Sequence, residues 1–173
     1  MEQKVAIQNI LLRKWQKGDE DAIVKHANNK EIAKFLKDSF PTPYTHFDAY
    51  RWIRFANHQS AGNHMAIVVE GEVVGCIGLE VQEDVYRKSA ELGYWLSEAY
   101  WNRGIMTHVV KNMIDMAFAN LPIVRLYAYV FEGNTASMRV LEKAGFELEC
   151  VQKKAVYKDQ KLLDQYVYAI VRM

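Results

Sequence analysis

The chain has 173 residues, a length that fits one domain with a sizeable core. Half of its residues are hydrophobic, a quarter are charged, and 22 Lys and Arg stand against 21 Asp and Glu, an ordinary globular balance. Near-neutral charge argues against a protein built for bulk nucleic acid or for a membrane surface.

No apolar run approaches the roughly 18 residues that span a bilayer. Met1-Glu2-Gln3-Lys4 lacks the apolar segment of a signal peptide, so a cytoplasmic location is expected. Cys76 and Cys150 lie in apolar, strand-like contexts without CxxC spacing, and the five scattered histidines form no HxxxH pair. Neither a disulfide framework nor a metal site is indicated.

Ile10 to Trp15 reads as a first strand. Gly18-Asp19 offers an N-cap to a short helix through Ile23, Val24 and Ala27, and Asn29 caps another carrying Ile32, Phe35 and Leu36. Two prolines in Phe40-Pro41-Thr42-Pro43-Tyr44 leave no regular backbone hydrogen bonding, which makes a loop. Thr45 then caps a helix with Tyr50, Trp52, Ile53 and Phe55. The aromatic group Phe40, Tyr44, Phe47, Tyr50, Trp52 and Phe55 reads most economically as core. Met65 to Val69 and Val73 to Val81, around Glu70-Gly71-Glu72, form a hairpin signature, with Cys76 a core residue of its second strand. Tyr86-Arg87-Lys88 is a polar link onward.

The most informative stretch follows. Leu92 to Leu96 is short and apolar enough for a buried strand, while Ile105, Met106, Val109, Val110, Met113, Ile114 and Ala117 recur at helical spacing. Between them, the turn Asn102-Arg103-Gly104 places a glycine where backbone N–H groups can approach a ligand without a side chain in the way. The first N–H groups of a helix have no intrahelical partner, and the macrodipole adds about half a positive charge. Such a turn is an anion cradle whose usual guest is pyrophosphate. His108, on the same helix, is expected to face solvent.

Ile123 to Val130 alternates as a strand, with Arg125, Tyr127 and Tyr129 on one face and Val124, Leu126 and Ala128 on the other. Asn134 opens a helix with Met138, Leu141 and Ala144 inward, and Gly145 stops it. Phe146 to Tyr157 and Leu162 to Val171 make a final hairpin around Lys158-Asp159-Gln160-Lys161, which offers a surface for a homodimer. With no repeat and no linker, the order of elements predicts one domain over residues 1–173, a mixed α/β sheet covered by helices.

Three groups of residues carry a resemblance: Ala90-Glu91-Leu92-Gly93-Tyr94-Trp95-Leu96, then Tyr100-Trp101-Asn102-Arg103-Gly104-Ile105-Met106-Thr107, then Asn134-Thr135-Ala136-Ser137 with Ala144-Gly145-Phe146. Together they resemble the GNAT acyl-CoA-dependent N-acetyltransferases, and most closely the RimJ/RimL type that acetylates ribosomal-protein N-termini. Two motifs in the right order, about 30 residues apart and each on the expected element, make the signal specific.

The resemblance implies a GNAT fold, classed as α/β or α+β: a mixed, mostly antiparallel seven-stranded sheet with a splay between its central strands, flanked by helices. It implies acetyl-CoA as co-substrate and no metal. Backbone groups of Tyr94, Trp95 and Leu96 would pair with the pantetheine arm. The Asn102 turn and the amides of Arg103, Gly104, Ile105, Met106 and Thr107 would hold the pyrophosphate. Asn134 would contact the pantetheine, Lys143 the adenosine phosphates, and Tyr44 the acceptor.

Acetyl transfer needs a neutral amine, and α-amines and lysines have pKa values of about 8 and about 10.4, so a base must take the proton. The resemblance implies Glu91 as that base and Ser137 as the acid for the departing thiolate. Read bottom-up, Glu91 is equally a solvated residue at a strand edge, Asn134 an N-cap and Ser137 its first-turn partner. The sequence departs from the family pattern at Met106, where Gly or Ala is usual, at Leu141, where many relatives carry a tyrosine acid, and at Val156, where the ribosomal-protein enzymes use a glutamate. The expected function is acetyl transfer from acetyl-CoA to a primary amine of a peptide or small molecule by direct attack in a ternary complex. The alternative is a non-catalytic acyl-CoA-binding or sensing module on the same scaffold. No nucleic-acid or membrane partner is expected.

Overall fold

In chain order the elements of the computed structural model are β1 (Ile10–Arg13), α1 (Glu20–Ala27), α2 (Lys30–Ala33), α3 (His46–His58), β2 (Met65–Val69), β3 (Glu72–Val81), β4 (Ser89–Leu96), α4 (Ile105–Asn120), β5 (Arg125–Phe131), α5 (Thr135–Ala144), β6 (Glu147–Lys158) and β7 (Lys161–Val171). Residues 9–58 and 64–172 are described; the Met1-Glu2-Gln3-Lys4 segment lies outside them. The strands form one seven-stranded sheet, ordered β1-β2-β3-β4-β5-β7-β6. It is mostly antiparallel, with β4 and β5 parallel. The ladder between β4 and β5 ends at Glu91↔Tyr127 after three residue pairs, although the strands have 8 and 7 residues. The chain folds as two compact units, one taking the chain up to Gly78 together with Tyr94–Val109, the other Leu79–Gly93 together with the chain from Val110 onward.

In the first unit, Trp15, Ile23, Ala27, Tyr44, Ala49, Ile53, Ala56, Ala66, Val68 and Cys76 build a buried cluster. Helix α3 starts with a reciprocal cap: Asp48 N donates to Thr45 Oγ1 at 3.2 Å, and Thr45 N donates to Asp48 Oδ2 at 3.0 Å. The stripe that points inward is Ala49, Ile53 and Ala56. The expectation of an aromatic core is therefore corrected in part. Phe47, Tyr50 and Phe55 fall at other phases and stay 66%, 47% and 48% exposed.

One helix start and one helix end also differ from expectation. Asp19 occupies the N-cap position of α1 without capping it, because its carboxylate takes both guanidinium nitrogens of Arg13 at 2.7 and 2.8 Å and the amide of Gln16. Asn29 does cap α2, accepting from Glu31 N, but α2 ends at Ala33 and the backbone continues through Phe35 and Leu36 in i→i+3 turns. The β2–β3 hairpin turns at Glu70 and Gly71, both left-handed (φ 52° and 88°), the geometry of a twist-matched two-residue turn.

In the second unit β5 pairs with β7 along its whole length, and Leu126, Ala128 and Val130 are buried while Arg125, Tyr127 and Tyr129 line the other face. Helix α5 is bounded as expected: Asn134 accepts from Ser137 N, and Gly145 closes the helix at φ 99°. Leu141 and Ala144 are buried; Met138 is only half-buried. The β6–β7 hairpin turns at Asp159 and Gln160, and β6 carries two register irregularities.

Candidate active site

In the first unit, β4 ends at Leu96, a single 3-10 turn follows at Glu98–Tyr100, and the chain enters α4 through Asn102-Arg103-Gly104. Asn102 and Gly104 are both left-handed (φ 60° and 78°), on either side of an exposed Arg103. A Cβ built on Gly104 meets nothing within 4 Å, so the glycine is demanded by its backbone angle, and the space beside it is open. His108 N donates to Gly104 O at 3.1 Å; the amides of Ile105, Met106 and Thr107 precede this first i→i−4 bond. A cleft of about 530 Å³ lies here, lined by Asn9, Ile10, Arg103, Gly104, Ile105 and His108. Met106, at the family's usual Gly or Ala position, is buried and so does not fill the open side. The Arg103 guanidinium sits 5.1 Å from the centre of the Tyr100 ring, which holds it near the turn. Free amides, a helix N-terminus, a cation and open space fit a diphosphate.

Just upstream, Tyr94 and Trp95 are half-buried and Leu96 is buried. Leu96 O accepts from Trp101 Nε1 at 2.8 Å, and Ser97 N donates to Val74 O at 2.8 Å. Tyr44, expected at the acceptor, is 6% exposed. Its backbone is clamped by Asn28, which accepts from Tyr44 N at 2.6 Å and donates to Tyr44 O at 2.7 Å. Burial pushes the Tyr44 phenol far above its usual range, so it remains protonated.

In the second unit, Glu91 is half-buried and pairs across the ladder with Tyr127. Ala90 and Leu92 face the buried side of β4, which leaves Glu91 on the opposite face, as Leu126 and Ala128 leave Tyr127. Burial and then the Glu91 charge push the Tyr127 phenol up to about 12, so it stays a neutral donor beside the carboxylate. The sequence reading did not single out Tyr127; strand alternation placed it on a face, but only the register set it beside Glu91. Ser137 is half-buried, its amide donated to Asn134 Oδ1 at 3.2 Å. Lys143 is exposed in the last turn of α5, and Leu141 is fully buried.

A polar chain that the sequence reading missed lies in the first unit. His26 on α1 makes 2.9 Å contacts through Nδ1 with Ser97 Oγ and through Nε2 with Glu72 Oε1. Tyr100 OH donates to Glu72 Oε2 at 3.1 Å, and Lys25 also pairs with Glu72. Hydrogen bonds from Lys25 first, then His26, hold the Glu72 carboxyl well below the usual carboxylate range, at about 2. Partners 71 and 46 residues apart leave no local pattern to read.

The Acetyltransferase (GNAT) domain family matches residues 9–147. The chain belongs to that family, and it is an N-acetyltransferase. It is 26% identical over 171 residues to "Uncharacterized N-acetyltransferase p20" of Bacillus licheniformis, covering 95% of this chain and 94% of that one. It is 27% identical over 165 residues to the L-amino acid N-acetyltransferase AaaT of Escherichia coli, covering 94% and 98%. Among solved structures it is similar to RimL, a ribosomal L7/L12 alpha-N-protein acetyltransferase in complex with coenzyme A. That match has a TM-score of 0.84 at 21% identity over 96% of this chain and 97% of that one. Among the described residues, no helix is long and apolar enough to cross a membrane.

Proposed function

We propose that this chain moves an acetyl group from acetyl-CoA to a primary amine by direct attack in a ternary complex. The observation that carries the reading is the Asn102–Gly104 turn, whose two left-handed residues present Arg103 and the first amides of α4 to an open cleft. Bound acetyl-CoA supplies the acetyl group as a thioester already activated toward an amine.

Arg103 and the amides of Gly104, Ile105, Met106 and Thr107 hold the diphosphate, with Asn102 shaping the turn. Backbone groups of Tyr94, Trp95 and Leu96 align the pantetheine arm, the Asn134 amide contacts it, and Lys143 meets the adenosine phosphates. Glu91 removes the proton from the incoming ammonium, directly or through water, because a protonated amine has no lone pair to attack with. As the amide forms, the attacking nitrogen gives up its second proton to the Ser137 hydroxyl, which passes its own proton to the departing thiolate and so ends unchanged, and Tyr44 forms part of the wall on the acceptor side. Rate enhancement comes chiefly from holding amine and thioester together.

The acceptor we favour is an α-amine, of an amino acid or a peptide N-terminus. AaaT is named for amino acids and RimL for a protein N-terminus, and a pKa of about 8 asks less of the base than a lysine does. A polyamine or other small amine is the second choice. A thiol-release assay with acetyl-CoA and a panel of amino acids, peptides and spermidine tests the reading. Turnover on α-amines is expected. Coenzyme binding without turnover on any amine would overturn it in favour of a sensing module.

A further inference from the structure

We infer that His26 is a positioning residue for the coenzyme cradle, acting through Ser97 and Glu72 on the segment that leads into Asn102-Arg103-Gly104. This inference rests on the proposed placement of the diphosphate at that turn.

The segment from Ser97 to Trp101 is only five residues long, yet it is tied at almost every position. Ser97 N donates to Val74 O, and Ser97 Oγ meets His26 Nδ1. Glu98 accepts from Asn29 Nδ2 at 2.6 Å, Tyr100 OH donates to Glu72, and Trp101 Nε1 donates to Leu96 O. Thus α1, the start of α2 and the start of β3 converge on the residues before the turn. His26 links two of these anchors, because its ring spans from Ser97 to Glu72.

The direction of these bonds follows from chemistry. An ionised carboxylate only accepts, so Nε2 carries the proton toward Glu72. Nδ1 meets the Ser97 hydroxyl at 2.9 Å, which fixes that rotor as well. His26 and Ser97 are 9% and 5% exposed, and a buried polar pair is costly unless every group is satisfied. Apolar residues would fill the same volume without that cost. What the polar chain supplies instead is direction: it holds the Ser97 oxygen and the Tyr100 ring at set positions, and the Tyr100 ring in turn carries Arg103. Small errors in such placement are expected to appear in coenzyme affinity before they appear in the chemical step.

The test is calorimetric titration of coenzyme A into the wild type, His26→Gln, Tyr100→Phe, Arg103→Ala and the double variant His26→Gln/Arg103→Ala, with thermal melting to confirm folding. Gln retains one of the two hydrogen bonds at similar volume. The inference predicts that His26→Gln weakens coenzyme binding about tenfold, equivalent to about 1.4 kcal/mol. It also predicts that the loss is largely absent once Arg103 has been removed, and that KM for acetyl-CoA rises while kcat at saturation changes little. If His26→Gln does not fold, Tyr100→Phe takes its place with the same expectations, since it deletes only the hydroxyl bonded to Glu72. An unchanged affinity, or a loss that adds in full to that of Arg103→Ala, overturns the role of His26 while leaving the cradle in place. An Arg103→Ala variant that binds as tightly as the wild type removes Arg103 from the cradle, and with it the route by which His26 would act.

Discussion

Glu91 carries the chemical proposal at the level of single residues. A carboxylate on the less buried face of β4, beside a phenol held neutral, can take a proton from an incoming amine. Glu91→Gln is therefore expected to lower turnover most near neutral pH, and to recover as the pH rises and the amine loses its proton unaided. Steady-state rates across pH check this; a profile parallel to the wild type would remove Glu91 from the role. Glu72 gives a second pH signature, in stability rather than rate. Its folded-state pKa lies at about 2, below the ordinary 4.5, so its stabilising contribution is present above 4.5 and is lost as the pH falls toward 2. Melting curves of wild type and Glu72→Gln should differ at neutral pH and converge across that acid window. Glu91 and Ser137 could be named from the sequence because each stands in a motif. Glu72, His26 and Tyr127 could not, since their partners lie on other elements and only the assembled sheet and helices bring them together.

Elements test a different part of the account. At Gly75 on β3, a Cβ would come within 2.5 Å of the Trp95 carbonyl oxygen and 3.2 Å of the Leu96 Cα, backbone atoms that cannot swing away. Gly75→Ala is expected to destabilise the protein by about 1–3 kcal/mol in chemical denaturation. Asn134 separates a cap from a coenzyme contact. Its amide oxygen caps α5, and aspartate caps a helix about as well. Asn134→Ala should lose about 1 kcal/mol of stability. Asn134→Asp should keep stability yet bind coenzyme A more weakly if the amide nitrogen meets the pantetheine; unaltered binding would leave Asn134 as a cap alone. The strands, α4, α5 and both tight hairpins were legible because turn residues and periodicity agree there. The inward face of α3 was not, because aromatic content suggested burial while the stripe that packs inward is Ala49, Ile53 and Ala56, at i, i+4 and i+7. Helix α2 fell short of its predicted end for a related reason: i→i+3 turns satisfy the same backbone groups.

For the molecule as a whole, family membership and the seven-stranded sheet follow from motifs that a single strand, turn and helix display. The acceptor is less legible because amine recognition depends on side chains drawn from loops and strand ends with no fixed spacing. The account's central claim is narrower than either: the first amides of α4 grip the diphosphate of the coenzyme. The most direct measurement is the backbone amide spectrum of the protein titrated with coenzyme A. The account predicts that the resonances of Gly104, Ile105, Met106 and Thr107 move most and saturate together. Saturable binding that leaves those four amides unmoved would contradict it.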